Sequence, residues 1–258
     1  MECKSSLMTS EHVVYEERGA IARVTLHESA GPAGSAGNVW EALRRAFAAI
    51  EASDTVRAAL ISGDAGAFSF DMSPEASALQ DRLEGVGVQA ALSVLWTSRV
   101  PVVVALRGRV SGAGALLGVS CDWIVVDDEV EFIDLDAVLH KAADLNPGFA
   151  FLPALNTARG SARAVMGGRE AARLGLVTEC VEVAAAQKRA EDIVKRLAEG
   201  PTRALALTRQ LLDESANADF ESQCRRELEV NQVLRTSRDS VEGVQAFLEK
   251  RPARFRGE

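Results

Sequence analysis

Apolar and polar residues alternate along this chain in two rhythms, and each predicts a kind of element. Val13 to Tyr15 and Ala20 to Leu26, separated by Glu16-Glu17-Arg18-Gly19, read as a β-hairpin, after a tail over residues 1–11 that is expected to be mobile. His27 to Asn38 holds Gly31, Pro32, Gly34 and Gly37 and reads as loop. From Val39 to Ala52 the apolar positions Val39, Leu43, Phe47 and Ile50 take a helical spacing. Val56 to Ser62 reads as a buried strand, GDAGAFSFDMSPEAS as a loop leading into a helical segment, and Val86 to Ser98 as a helix.

The densest pattern is VPVVVALRGRVSGAGALLGVSCDWIVV, from Val100 to Val126. Pro101 to Leu106 is β-branched enough for a strand buried on both faces, and Asp122 to Val126 repeats the signal. Between them Arg107 to Val110 is expected to turn, and Ser111 to N-cap a small-residue helix running to about Ser120. Glu131 to Asp136 reads as a strand end, followed by a short helix carrying His140. From Arg159 onward helices are expected over Ala162–Met166, Glu170–Leu174, Ala184–Ala198, Thr202–Ser215, Phe220–Arg235 and Ser240–Lys250, with Gly200-Pro201 as a stop and start. Strands alternating with helices, then helices alone, predict an α/β core with a helical C-terminal part.

Composition narrows the partners. The chain has 258 residues, long enough for a sizeable core, and 47% of them are hydrophobic and 26% charged, as in ordinary globular proteins. A net charge of −8 argues against nucleic acid or an anionic membrane as the main partner. The 4 cysteines and 3 histidines are scattered, without disulfide-framework or metal-ligand spacing, which points to a reducing cytoplasm. No apolar run reaches transmembrane length, and MECKSSLMTSEH lacks a signal peptide's hydrophobic segment.

Candidate chemistry lies in the Val100–Val126 stretch. A strand, a small-residue turn and a helix N-terminus aim free backbone N–H groups and the positive end of a helix dipole at one point. Small residues there let a ligand approach the backbone. Such a place suits a developing negative charge, as on a thioester oxygen becoming an enolate.

Four segments in order resemble the crotonase (enoyl-CoA hydratase/isomerase) superfamily over nearly the whole chain: VRAALISGDAGAFSFDM, VPVVVALRGRVSGAGALLGVSCDWIVV, REAARLGLVTECVEV and SRDSVEGVQAFLEKRPARFRG. The resemblance implies an α/β fold, a spiral of ββα repeats over residues 12–195 with a helical oligomerisation region over 196–258 that packs homotrimers, often paired into hexamers. It implies acyl thioester substrates, with coenzyme A or the phosphopantetheine of an acyl carrier protein as part of the substrate, and no metal or redox cofactor. The two backbone N–H groups that hold the thioester oxygen in the family fall on Met72 and Ala113. Ala67, Phe68, Phe70 and Asp71 flank the first, and Gly112, Gly114 and Leu116 the second. Phe247 and Lys250 match terminal positions that reach a neighbouring subunit's nucleotide.

This chain departs from the family pattern in ways that bear on the reaction. Asp71 stands where glycine is usual and Ser73 where aspartate is common. Hydratases of the family use two glutamates; the first position is Leu116, which cannot move a proton, and the second is Asp136. One acid can still take a proton from one carbon and return it to another, and burial beside Leu135 and Val138 would raise its pKa. His140, four residues on, would share a helix face with Asp136 as partner or second acid; a helix N-cap at Asp136 and a packing histidine at 140 are the plain alternatives. Between Arg23 and Arg44 there is no lysine or arginine, which weakens nucleotide recognition and favours a carrier-bound arm. Phe149, Phe151 and Leu152 would wall an apolar acyl pocket or, equally, pack in the core. The expected activity is thus isomerase or hydratase chemistry with Asp136 as the single acid. The alternatives are decarboxylation or C–C cleavage on the same oxyanion site, or a non-catalytic relative that binds acyl thioesters.

Overall fold

The computed structural model describes residues 7–10, 12–27, 36–64, 67–70, 78–135, 165–215 and 218–258. Its main sheet orders seven strands as β1 (Leu7–Thr9), β2 (Val13–Arg18), β3 (Ile21–Leu26), β4 (Ala58–Gly63), β6 (Val102–Leu106), β8 (Trp123–Asp127) and β11 (Glu179–Val181). The first three pair antiparallel, and β3 through β11 run parallel. Parallel strands are covered on both faces, which is why VVVAL in β6 is buried at every position. The hairpin turn is tighter than the pattern predicts: β2 continues through Arg18, leaving Gly19-Ala20 at the corner with Gly19 at φ 64°. Strand β1 also falls inside the stretch expected to be a tail, paired to β2 from Leu7↔Glu16 to Thr9↔Val14.

A second sheet carries four short strands in the order β10 (Val165–Gly167), β9 (Glu131–Ile133), β7 (Arg109–Ser111) and β5 (Ser69–Phe70). Two of them correct the sequence reading. Arg109–Ser111 lies in the segment expected to turn, and residues 165–167 form a strand where a helix over 162–166 was expected. Three residues show no countable period, and their hydrogen-bond partners lie far away in sequence.

Helices α1 (Ala36–Ala52) and α2 (Ala78–Trp96) pack on each other, and Leu43, Phe47 and Ile50 of α1 enter the main core. Helix α3 (Gly112–Val119) is buried from Ala113 to its end. A short α4 (Gly168–Arg173) precedes β11, and α5 (Ala186–Ala198) covers the sheet's other face. The period of two along β4 sorts the layers: Ala59 and Ile61 join the larger core, while Ala58 and Leu60 pack with Ala190, Ile193 and Val194 of α5. Helix α5 runs unbroken to Ala198.

Three helices close the chain: α6 (Thr202–Ser215), α7 (Phe220–Arg235) and α8 (Arg238–Glu249). Helix α7 buries Val230 alone within the described chain, and Leu212, Leu228, Val241, Val244, Phe247 and Leu248 stand exposed along this part. Residues 251–258 fold back. The Arg57 guanidinium donates to the Phe255 carbonyl at 2.6 Å, and Asp239 accepts the N–H groups of Arg256 and Gly257 at 2.7 and 2.8 Å.

Candidate functional site

Strands β5, β7 and β9 run parallel, so their carboxyl ends share one edge. Ligands of such sheets gather at that edge, where the chain leaves the ladder and backbone groups are free. Ser69 pairs with Ser111, and Phe70 bridges to Gly112. The Ser111 N–H donates to the Phe68 carbonyl at 3.1 Å, and the Ser69 hydroxyl to the Arg109 carbonyl at 2.7 Å. Gly112 then turns the chain with φ 56°, a conformation that favours glycine, and α3 begins.

The approach of β5 to α3 is close enough to dictate sequence. A Cβ built on Gly114 would lie 2.0 Å from the Phe68 carbonyl oxygen and 2.5 Å from its carbon. Ser111 occupies the expected N-cap in an extended conformation, but its side chain makes no capping bond. The first four N–H groups of a helix have no intrahelical acceptor, and here the cap hydroxyl takes none of them. Ala113, 4% exposed, carries one of these donors beside Phe70.

Of the residues expected at the site, Ala67, Phe68, Phe70, Gly112, Ala113, Gly114 and Leu116 are brought together along β5 and α3. Leu116 is 3% exposed within the core, and no proton chemistry is open to it. Asp71, Met72, Ser73, Asp136 and His140 lie outside the described residues, as do Phe149, Phe151 and Leu152. The chain leaves the described part at Phe70, two residues before Met72, and at Leu135, one before Asp136. Phe247 and Lys250 lie elsewhere, exposed on α8 and its left-handed cap.

Three features escape sequence reasoning. Trp40, 1% exposed, meets Phe70 edge to face, with ring centroids 6.0 Å apart, and so props the strand that ends at the site. Its neighbour Val39 fits the helical count, and a heptad count passes Trp40 over. Asp134 takes φ 45° at the end of β9, so the turn ahead of Asp136 is left-handed, which aspartate tolerates better than most residues. Third, the carboxyl ends of β3, β4 and β6 carry His27, Asp64 and Arg107. The His27 ring faces Asp64 at 3.1 Å, and Arg107 donates to the Gly63 carbonyl at 3.0 Å. Arg107 places a cation at an edge where the Arg23–Arg44 interval supplies none.

The amino end of α3 opens in an apolar setting, where a helix dipole and backbone donors act most strongly on an anion. Among the described residues no cluster of three or more His, Cys, Asp or Glu side chains could hold a metal ion, and no helix is long and apolar enough to cross a membrane.

Comparison with known proteins matches residues 16–258 to the family described as enoyl-CoA hydratase/isomerase. A Rhodobacter capsulatus protein named "Probable enoyl-CoA hydratase" is 30% identical over 171 residues, covering 64% of this chain and 66% of that protein. A Streptococcus mutans protein named trans-2-decenoyl-[acyl-carrier-protein] isomerase is 24% identical, over 97% of this chain and 100% of its own length. The crystal structure of an enoyl-CoA hydratase from Geobacillus kaustophilus superposes with a TM-score of 0.83 at 18% identity, covering 99% of this chain and 100% of that one. At that identity the likeness is one of fold.

Proposed function

The chain belongs to the enoyl-CoA hydratase/isomerase family, and from that premise we propose that it moves a double bond within an acyl thioester. The thioester carbonyl oxygen accepts the N–H groups of Ala113 and Met72. Asp136 takes a proton from the acyl chain; the electron pair left behind shifts the double bond and its negative charge reaches the oxygen as an enolate. The same carboxyl returns the proton at the carbon on the other side. No bond to water is made. Each N–H aimed at the enolate oxygen is worth roughly 10²–10³ in rate in comparable sites.

The observation that carries this reading over hydration is Leu116. It is buried where hydratases of the family place their first glutamate, so one of the two acids that position a water is missing. Asp136→Asn tests the reading. The variant is expected to lose at least ~10²-fold in trans-2/cis-3 enoyl thioester isomerisation and in exchange of the substrate's acidic proton with deuterated water. Unchanged isomerisation would remove Asp136 from the mechanism, and a wild-type protein that exchanges no proton would be a binding protein.

Leu116 also favours a second reading, decarboxylation or C–C cleavage, because either needs the enolate site more than a base. In that case Asp136→Asn leaves turnover of a malonyl-type thioester intact.

Support for the handle and the assembly is separate. The Streptococcus mutans relative is named for an acyl carrier protein substrate, and this chain has no lysine or arginine between Arg23 and Arg44. Both favour a carrier-bound arm, which matched CoA and carrier-bound substrates would test; a strong CoA preference would end it. The exposed apolar row on α8 supports a homotrimer or hexamer, in which Phe247 and Lys250 would reach a neighbour's substrate.

A further inference from the structure

The carboxyl end of α3 faces a different place. There the chain passes from Val119 through Ser120 and Cys121 into β8, and residues of α6 line the other side of an open cleft of about 700 Å³. That volume is in the range that holds small molecules, about 300–1,000 Å³. Its apolar walls include Trp96, Trp123, Ile124, Leu205 and Leu212. Helix α3 is eight residues long, so about 12 Å separates this cavity from the N–H groups at its other end.

Three charged groups line the cavity: Asp122, Arg209 and Asp213. The first two cancel. Nη1 of Arg209 donates to both Asp122 oxygens, at 3.1 and 2.9 Å, and Nη2 donates to the carbonyls of Trp96 and Ser98. Asp122 also accepts the Val102 N–H at 2.7 Å. Asp213, one helical turn beyond Arg209, makes no hydrogen bond or ion pair with any described residue. Partial burial pushes its carboxyl above the usual range; the Arg209 charge opposes this, and the smaller effects of the Asp122 and Glu214 charges add to it.

The remaining features have the same sign. A helix carboxyl end carries about half a negative charge, and α3 ends at this cavity. Indole rings attract cations to their faces, and two indoles are in the wall. A carboxylate outside any ion pair with the described residues, a negative helix end and two indoles around an apolar volume select for a positive charge on a hydrocarbon body.

We propose that this cavity is a second binding site, separate from the thioester site, for a small aralkyl- or alkylammonium ion whose ammonium group meets Asp213 and whose body packs on Trp96, Trp123 and Leu212. The ion holds against the far end of the helix whose amino end carries Ala113, and it does not compete with a thioester. The inference does not depend on the reaction proposed above.

Benzylamine and its neutral analogue benzyl alcohol are the probes, titrated into the full chain at neutral pH. Binding is read from the ¹⁵N–¹H indole signals of Trp96 and Trp123, assigned with Trp96→Phe and Trp123→Phe. Benzylamine is expected to move both signals and to bind at least tenfold more tightly than the alcohol. Asp213→Asn, a change at an exposed position, should abolish that preference, and saturating coenzyme A should leave benzylamine binding unchanged. Equal affinity for amine and alcohol, an unaffected Asp213→Asn variant, displacement by coenzyme A, or indole signals that do not respond because a second copy of the chain fills the cavity would each overturn the proposal.

Discussion

At position 114 one methyl group decides whether β5 and α3 can meet. Gly114→Ala would drive a Cβ to within 2.0 Å of a backbone oxygen, and backbone cannot rotate away as a side chain can. The expected result is a stability loss of roughly 1–3 kcal/mol from overpacking and, on the proposed mechanism, a drop in turnover of at least ~10²-fold as the Ala113 N–H is displaced. Denaturant midpoints and single-turnover rates measure the two effects. Ala184 poses the opposite case. It holds φ 63°, a left-handed conformation that costs an L-residue roughly 1–2 kcal/mol. Ala184→Gly should therefore raise stability by about 0.5–1 kcal/mol after glycine's own entropy is counted. A fall in melting temperature would show that the methyl group packs. At this scale the small-residue turn into α3 was legible, since Ser111-Gly112-Ala113-Gly114 carries an N-cap residue and little else that could block a close backbone approach. Trp40 was not, because its partner Phe70 sits thirty residues away on a two-residue strand with no pattern of its own.

Elements differ in how far they announce themselves. Thr202–Ser215 and Phe220–Arg235 stand where the helical period puts them, since each repeats its apolar face over several turns. Strand β10 is paired to β9, and β7 to β9 and β5, all distant in sequence. The C-terminal tail is likewise held by long-range bonds. Arg57, at the start of β4, donates to the carbonyls of Phe255 and Gly200 and to the Thr202 hydroxyl at 3.2 Å. Arg57→Ala leaves two carbonyls without their charged donor and should cost about 2 kcal/mol, read as a lower denaturant midpoint with the slope unchanged. The tail is also pH-sensitive. Side-chain hydrogen bonds from Arg251 chiefly, then the Arg254 N–H, lower the Glu242 carboxyl from 4.5 to about 2. A depressed carboxyl contributes stability above its unfolded value and loses it as pH falls through the folded one, here between about 4.5 and 2. Glu242→Gln should remove that acid limb from the stability profile and expose residues 251–258 to carboxypeptidase at neutral pH. A profile identical to wild type would assign the limb to other carboxylates.

For the molecule as a whole, the exposed face of α8 is apolar. Val241, Val244, Phe247 and Leu248 are 60–82% exposed on α8, more than a solvated helix gains from. In a trimer or hexamer they would be covered, and Val244→Glu should shift the sedimentation profile toward the monomer while leaving helical content intact. An unchanged profile would place any interface elsewhere.

What the sequence determined by itself is local and periodic: the buried strands of the main sheet, most of the helices, the small-residue turn at Gly112–Gly114, and the order of strands before terminal helices. These follow from spacings of two and 3.6 residues and from the few side chains a tight backbone permits. Only the tertiary structure decided that β5, β7 and β9 share a carboxyl edge, that Phe68 rests against Gly114, that Arg107 reaches the Gly63 carbonyl beside the His27–Asp64 pair, and that Asp213 borders a cavity beside a neutralised pair. Each of these brings together residues that are distant in the chain, and no local pattern records a neighbour that arrives only when the whole chain has packed.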